Sequence, residues 1–208
     1  MLIDWLTLSL STNHIPISVI DHLVGLCPKN QRISADGEIE YWSTAWMSQR
    51  SDYNSIAWHI SHNQLIICGS PASLSSSNNV FGTGNIHDAF NIMLTFFKDE
   101  LNVDIDSRII NWSCSRIDIT RNADLTNQTN VQTALECLKH SNTRGNNVER
   151  RNTTVYWNKS SSLRSAKAYN KYEHALQAIR KKQQTYTPGQ LEKCKRLLRL
   201  ELKLGRKW

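Results

Sequence analysis

Tyr169 stands in the run Ala168-Tyr169-Asn170-Lys171-Tyr172-Glu173. A tyrosine oxygen can attack a phosphodiester when a cation withdraws charge from the phosphorus and a positive side chain steadies the leaving oxygen. Lys171, two residues on, is of the type that supplies such a charge. A tyrosine ending a strand can equally be packing its ring, and the run alone does not separate the two uses. Tyr172 falls on the apolar face of the helix predicted next and reads as core.

Two segments share a second device. In Ser115-Arg116-Ile117-Asp118-Ile119-Thr120, strand alternation puts Arg116, Asp118 and Thr120 on one face. In Leu198-Arg199-Leu200-Glu201-Leu202-Lys203-Leu204, the same alternation sets Arg199, Glu201 and Lys203 against four leucines. If the two strands are neighbours, Asp118 and Glu201 converge, and a carboxylate pair suits Mg²⁺ or Mn²⁺. Taken alone, R-x-D and R-x-E on strands are more often surface salt bridges beside a half-buried sheet. Arg116 and Arg199 either hold those carboxylates or touch DNA. His59 is the remaining candidate for a third ligand; with His62 it makes an H-x-x-H across a turn, and no His-hydrophobic-His triplet occurs. Phe81-Gly82-Thr83-Gly84-Asn85 lacks the Gly-Lys-Ser/Thr ending of a nucleotide-binding loop, which discounts ATP.

Charge gives these residues a partner. The 208-residue chain carries a net +7, unevenly placed. From Lys139 to Trp208 there are 18 Lys and Arg against four acids, a net +14, whereas the first 138 residues carry 7 basic and 14 acidic residues, a net −7. A basic half on an acidic half favours a polyanion, and the spread over several elements favours nucleic acid. Arg180-Lys181-Lys182 is either part of that face or a solvated helix end. A membrane surface fits poorly, because the basic stretch has no large aromatic or leucine face. No apolar stretch approaches the ~18 residues of a spanning helix, and the N-terminus does not read as a signal peptide. Five scattered cysteines make neither a disulfide framework nor a zinc site, so a reducing cytoplasm is expected.

The elements that must position these groups alternate between strand and helix patterns. Strands are predicted at 4–10, 41–47, 55–60, 64–68, 112–120, 153–157, 163–169 and 197–204, with hairpins around 61–63 and 160–162. Helices are predicted at 16–26, 86–101, 131–138 and 172–182, a loop or short helix at 73–79, and a polar loop at 141–147. Hairpins together with strands separated by helices predict an α+β fold, a largely antiparallel central sheet with helices packed on it. No repeat or linker divides residues 1–208, so one domain is expected.

The order of these segments resembles the replication initiators of filamentous phage, the gene-two/gene-ten family. The matching segments are Tyr53-Asn54-Ser55-Ile56-Ala57, Gly69-Ser70-Pro71-Ala72, Asn79-Val80-Phe81-Gly82-Thr83, Ser115-Arg116-Ile117-Asp118, Thr153-Thr154-Val155-Tyr156-Trp157-Asn158, Ala168-Tyr169-Asn170-Lys171 and Leu198-Arg199-Leu200-Glu201. That family is similar to plasmid rolling-circle initiators with R-x-D, Y-x-K and R-x-E motifs, and both are related to the HUH endonuclease fold with its histidine pair replaced. The resemblance implies a site-specific, metal-dependent DNA nickase in the bacterial host cytoplasm. Its tyrosine would attack single-stranded or supercoiled origin DNA, stay on the 5′-phosphate and leave a 3′-OH for host polymerase and helicase; reversal would join the strand. Tyr169 matches the family's nucleophile, Lys171 its lysine, and Asp118 and Glu201 its acidic motifs. Two features depart from the pattern. His174 stands where the family often has glutamate, and the chain stops at Trp208 where members usually continue, so a trimmed nuclease domain is expected. The alternatives are a related plasmid or transposon initiator and a non-catalytic basic DNA- or RNA-binding regulatory module.

Overall fold

Alternation builds the first strand, β1 (Leu2–Ser11): Leu6, Leu8 and Leu10 are buried, and Thr7 and Ser9 between them are half-exposed. The computed structural model describes residues 1–51, 54–76, 78–141 and 147–205. Tyr53, residues 142–146 of the predicted polar loop, and Trp208 lie outside the described residues. After β1 come α1 (Ile17–Gly25), β2 (Lys29–Ile33), β3 (Ile39–Thr44), β4 (Met47–Ser51), β5 (Asn54–Ile60), β6 (Gln64–Gly69), α2 (Pro71–Ser76) and α3 (Ile86–Leu101). The second half comprises β7 (Trp112–Asp124), α4 (Gln128–His140), β8 (Val148–Arg151), β9 (Thr154–Trp157), β10 (Arg164–Asn170), α5 (Lys171–Arg180), α6 (Pro188–Cys194) and β11 (Leu197–Gly205).

Among the described residues, nine strands form one sheet in the order β4-β5-β6-β1-β7-β11-β10-β9-β8, and β2 and β3 form a separate hairpin. Every pairing in the large sheet is antiparallel, which is the expected α+β architecture. The strands with the candidate acids, β7 and β11, lie side by side at its centre.

One face of the sheet holds most of the core. Leu6, Leu8, Ile56, Trp58, Leu65 and Ile67 pack against Phe90, Met93 and Phe97 of α3. Asn85 caps that helix by accepting from the His87 amide, and Asn102 ends it in the left-handed region at φ 49°. Burying each such side chain stabilises the fold by about 1.5–3 kcal/mol, so Phe97→Ala, which also opens a cavity, costs roughly 3–5 kcal/mol. On the same face α4 covers Val155, Ala168 and Leu198 with Val131 and Leu135. On the opposite, polar face α5 and α6 cover one end, through Ala175, Cys194 and Leu197.

Four elements escape sequence pattern, among them β4, of which the strand predicted at 41–47 reaches only Met47. β2 and β8 are short and largely solvent-facing, so no apolar alternation marks them. α6 is announced only by its cap: Thr187 accepts from the Gln190 amide, and the Gln190 side chain accepts from the Thr187 amide.

The glycine-bearing loop before α3 has a packing role. A Cβ on Gly82 would lie 2.9 Å from the Ala72 Cβ, and one on Gly84 would lie 2.9 Å from the Met1 carbonyl. Glycine lets this loop press against β1, where the Ile3 amide donates to the Thr83 carbonyl at 2.8 Å. Asn79 is thereby brought to the sheet. Among the described residues no helix is long and apolar enough to cross a membrane.

Candidate active site

Strand register assembles the site. Residues directly opposite in an antiparallel ladder share a face. Thr120 of β7 lies opposite Glu201 of β11, Asn122 opposite Arg199, and Asp118 opposite Lys203. On β11's other side, Glu201 faces Lys167 of β10 and Arg199 faces Tyr169. Asp118, Glu201 and Tyr169 therefore lie on one face of three adjacent strands, the two acids as diagonal neighbours about 7–8 Å apart between Cα atoms.

The two carboxylates are held separately. The Arg116 guanidinium donates to both Asp118 oxygens, Nε to Oδ1 at 2.8 Å and one terminal nitrogen to Oδ2 at 2.5 Å. Lys167 Nζ lies 2.7 Å from Glu201 Oε1. Glu201 Oε2 is buried with no hydrogen-bond partner. Burial raises the Glu201 pKa against the pull of Lys167. An orphaned buried carboxylate oxygen is the kind of donor that a hard cation satisfies. Among the described residues, however, no three His, Cys, Asp or Glu side chains are grouped to hold a metal ion.

The structure does not bring His59 to these acids. It lies on β5, three strands from β7, roughly 14 Å across the sheet at ordinary strand spacing. Its ring packs on Trp46 with centroids 4.4 Å apart, and burial lowers its pKa.

Arg199 is 0% exposed, which corrects the expectation that it faces DNA. Its NH2 lies 3.1 Å from Asp4 Oδ1 and donates to Thr120 Oγ1 at 3.1 Å, while NH1 donates to the Asn79 carbonyl. A buried guanidinium needs such partners, since an unpaired one costs several kcal/mol. Arg116, by contrast, is partly exposed and sits over the Trp5 ring at 5.1 Å. Arg180, Lys181 and Lys182 are exposed at the end of α5.

Lys171 is also sealed inside. Its Nζ donates to Asn79 Oδ1 at 2.6 Å and approaches the Tyr186 hydroxyl at 3.4 Å. Burial first, and then the Arg199 charge, pull its pKa down to about 7. Asn79 in turn donates its amide to Asp4, at 2.9 and 3.3 Å to the two oxygens. Lys171 thus acts on Asp4 through Asn79. The cation beside the tyrosine is Lys167, whose Nζ lies 5.2 Å from the Tyr169 ring centroid.

Tyr169 is 2% exposed, and its ring meets His174 of α5 at 4.9 Å. Burial pushes its phenol well above the ordinary value; the Glu201 and Asp4 charges add to this, and Arg199 opposes it. His174 is held neutral: burial, with the Lys171 and Lys167 charges behind it, brings its pKa down to about 3.

Sequence reasoning misses Asp4, Asn79 and Lys167. Asp4 shares its parity with Leu6, Leu8 and Leu10, so strict alternation would bury it in the core. A bulge between Ile3 and Trp5 releases it to the polar network instead. The available signal is a charge in the apolar phase of a strand.

The central antiparallel sheet thus carries an acid pair, a tyrosine and a buried lysine network on one polar face. The family described as the N-terminal part of the replication-associated gene-two protein matches residues 2–208, and the chain belongs to it. The resemblance to filamentous phage initiators is therefore one of membership. A solved structure titled as a rolling circle replication initiator protein from Geobacillus stearothermophilus is similar at a TM-score of 0.40 and 11% identity, over 98% of this chain and 73% of that one. No curated protein matches the chain.

Proposed function

We propose that the protein initiates rolling-circle replication by nicking and rejoining one DNA strand through Tyr169. The observation that supports this most is the ladder register placing Asp118, Glu201, Lys167 and Tyr169 on one face of three neighbouring strands. In the proposed reaction, the Tyr169 oxygen bonds to the scissile phosphorus while the bond from phosphorus to the 3′ oxygen breaks. The phenol proton is lost and the leaving oxygen gains one, so the products are a 5′-phosphotyrosine and a free 3′-OH. Attack by that 3′-OH reverses the chemistry and joins the strand.

Lys167 offsets charge on the phosphate beside the phenol. Arg199, Asn79 and Lys171 hold Asp4 and the strands in place. Glu201, with its free buried oxygen, and Asp118 would hold Mg²⁺ or Mn²⁺, which when bound supplies positive charge against a phosphate oxygen. Origin DNA is the substrate in this reading, single-stranded or supercoiled, with host polymerase and helicase acting on the exposed 3′ end. Rolling-circle initiators are generally endonucleases, which agrees with family membership.

The burial of Tyr169 beneath α5 is the one observation favouring a non-catalytic DNA-binding module, since the phenol must be uncovered to react. Incubation with a single-stranded origin oligonucleotide and Mn²⁺ separates the readings. The nickase forms an SDS-resistant protein–DNA adduct; the binding module retains the oligonucleotide and forms none.

A further inference from the structure

The sheet has a second polar region, away from the acids. Thr7 and Ser9 of β1 lie opposite Cys68 and Ile66 of β6, and these lie opposite Ala57 and His59 of β5. Trp5 shares this face, since it lies opposite Asp118. All of these residues are half-exposed. The helices beside these strands, α1, α2 and α3, put apolar residues such as Leu23, Leu74 and Phe90 into the core on the other side. The face is thus an open floor of mostly small side chains that begins at Trp5, under the Arg116 guanidinium, and runs to His59. At its far end Trp46 is 55% exposed and its ring meets that of His59 at 4.4 Å between centroids, tilted by 50°. A solvated tryptophan held at its edge by a second ring presents its indole as an apolar surface to a base.

Charge on this floor is sided. The first 138 residues carry a net −7, yet none of their carboxylates lies on β5, β6, residues 5–11 of β1 or residues 112–117 of β7. The described acids sit elsewhere: on α1, on the hairpin turn and β3, on α3 and in the loop after it, on α4, and, as Asp4, Asp118 and Asp124, on other parts of β1 and β7. A polyanion lying on this floor meets no carboxylate until Asp118, which Arg116 neutralises. The floor also offers few cations, so contact comes through the faces of bases, with phosphates turned to solvent.

We infer that the open face of β7-β1-β6-β5 is a base-stacking track for single-stranded DNA continuing from the Tyr169 site, with Trp46 on His59 as its distal contact. From the strand spacing and rise, Trp46 and His59 lie about 20 Å from Asp118, which is a reach of a few nucleotides. The inference rests on the nickase reading for what lies at its near end. Its own content is the distal contact, which stacks on any base and so should be tolerant of sequence.

Fluorescence anisotropy with 5′-fluorescein-labelled dT20 tests the track at several salt concentrations. Trp46→Ala should weaken binding about tenfold, as removal of one stacked base does. Trp46→Phe should recover most of the affinity, and the dependence on salt should match wild type, because the same phosphates are neutralised. Exposed Ile33 lies on the separate hairpin, so Ile33→Ala should bind as wild type does. Equal affinity of wild type and Trp46→Ala for dT20 overturns the inference, as does a shallower salt slope in Trp46→Ala. A wild type that binds dT20 with the Trp46 dependence, but forms no adduct with origin DNA, overturns the nickase reading and leaves the track standing.

Discussion

Asp118 and Glu201 are diagonal neighbours on the polar face of β7 and β11, each neutralised by a different base: Asp118 by Arg116 from its own strand, Glu201 by Lys167 from β10. The two R-x-acid motifs therefore behave differently. Arg116 turns along its strand to grip Asp118, whereas Arg199 turns inward to Asp4 and leaves Glu201 to a lysine.

Asp118→Asn and Glu201→Gln each remove one charge at nearly constant shape. Each variant should stay folded, bind Mn²⁺ more weakly and nick origin DNA slower by orders of magnitude, while DNA affinity holds or rises. Glu201→Gln has a further signature in stability. Burial raises the folded-state pKa of Glu201 above its ordinary value of 4.5, so ionising it in the fold costs stability. That stabilising contribution is full below pH 4.5 and is lost as pH rises through the folded pKa. The glutamine does not ionise, so Glu201→Gln should gain on wild type in urea-unfolding stability as pH rises above 4.5. A gap that narrows as pH rises contradicts this electrostatic account of Glu201.

Lys171 gives the opposite sign. The unfolded chain keeps a lysine protonated to about pH 10.4, the folded chain only to about 7. Between those values the unfolded state holds the extra proton, so rising pH favours the fold, by up to about 1.4 kcal/mol per unit. Wild type should therefore gain on Lys171→Met between about pH 7 and 9. Parallel pH profiles for the two proteins in chemical denaturation exclude a buried, depressed lysine.

Arg199→Met removes a fully buried cation, leaves Thr120 Oγ1 without its donor and leaves the Asp4 carboxylate with Asn79 alone. Breaking such a pair costs about 3–5 kcal/mol, which in a chain of this size is a fall in Tm of roughly 6–20 °C. Arg116→Met removes a partly exposed arginine, although it leaves the buried Asp118 unpaired, and should cost less than Arg199→Met. Calorimetry that ranks the two the other way contradicts the burial assigned to Arg199.

If the exposed Arg180, Lys181 and Lys182 meet phosphates, reversing their charges should lower affinity for single-stranded DNA. The slope of log affinity against log salt should shallow by about 0.7 for each phosphate no longer neutralised. Cleavage at high protein concentration should survive. An unchanged slope assigns these residues to solvent.

Strong periodicity is legible in the sequence, and tertiary rescue is not. The α3 helix, the two β-hairpins and the alternation of β7 and β11 follow from spacing, because one face of each is apolar. Strand order is a tertiary outcome, so spacing gives the adjacency of Asp118 and Glu201 only as a condition. Asp4 is hidden because a bulge breaks the alternation that a strand pattern assumes. Residue type places Lys171 and Arg199 at the surface, since buried Lys and Arg are rare unless paired. Their partners, Asn79 and Asp4, come from segments 92 and 195 residues away. Metal chemistry makes His59 a candidate ligand, and its actual neighbour is a tryptophan.

The most direct test of the central claim is the identity of the residue joined to DNA. Adduct formed with single-stranded origin oligonucleotide and Mn²⁺ is digested with protease and nuclease, and the peptide bearing nucleotide is sequenced by mass spectrometry. The account predicts modification of Tyr169, no adduct from Tyr169→Phe, and nearly normal adduct from Tyr172→Phe. Nucleotide on Tyr172 or another residue, or undiminished adduct from Tyr169→Phe, contradicts it.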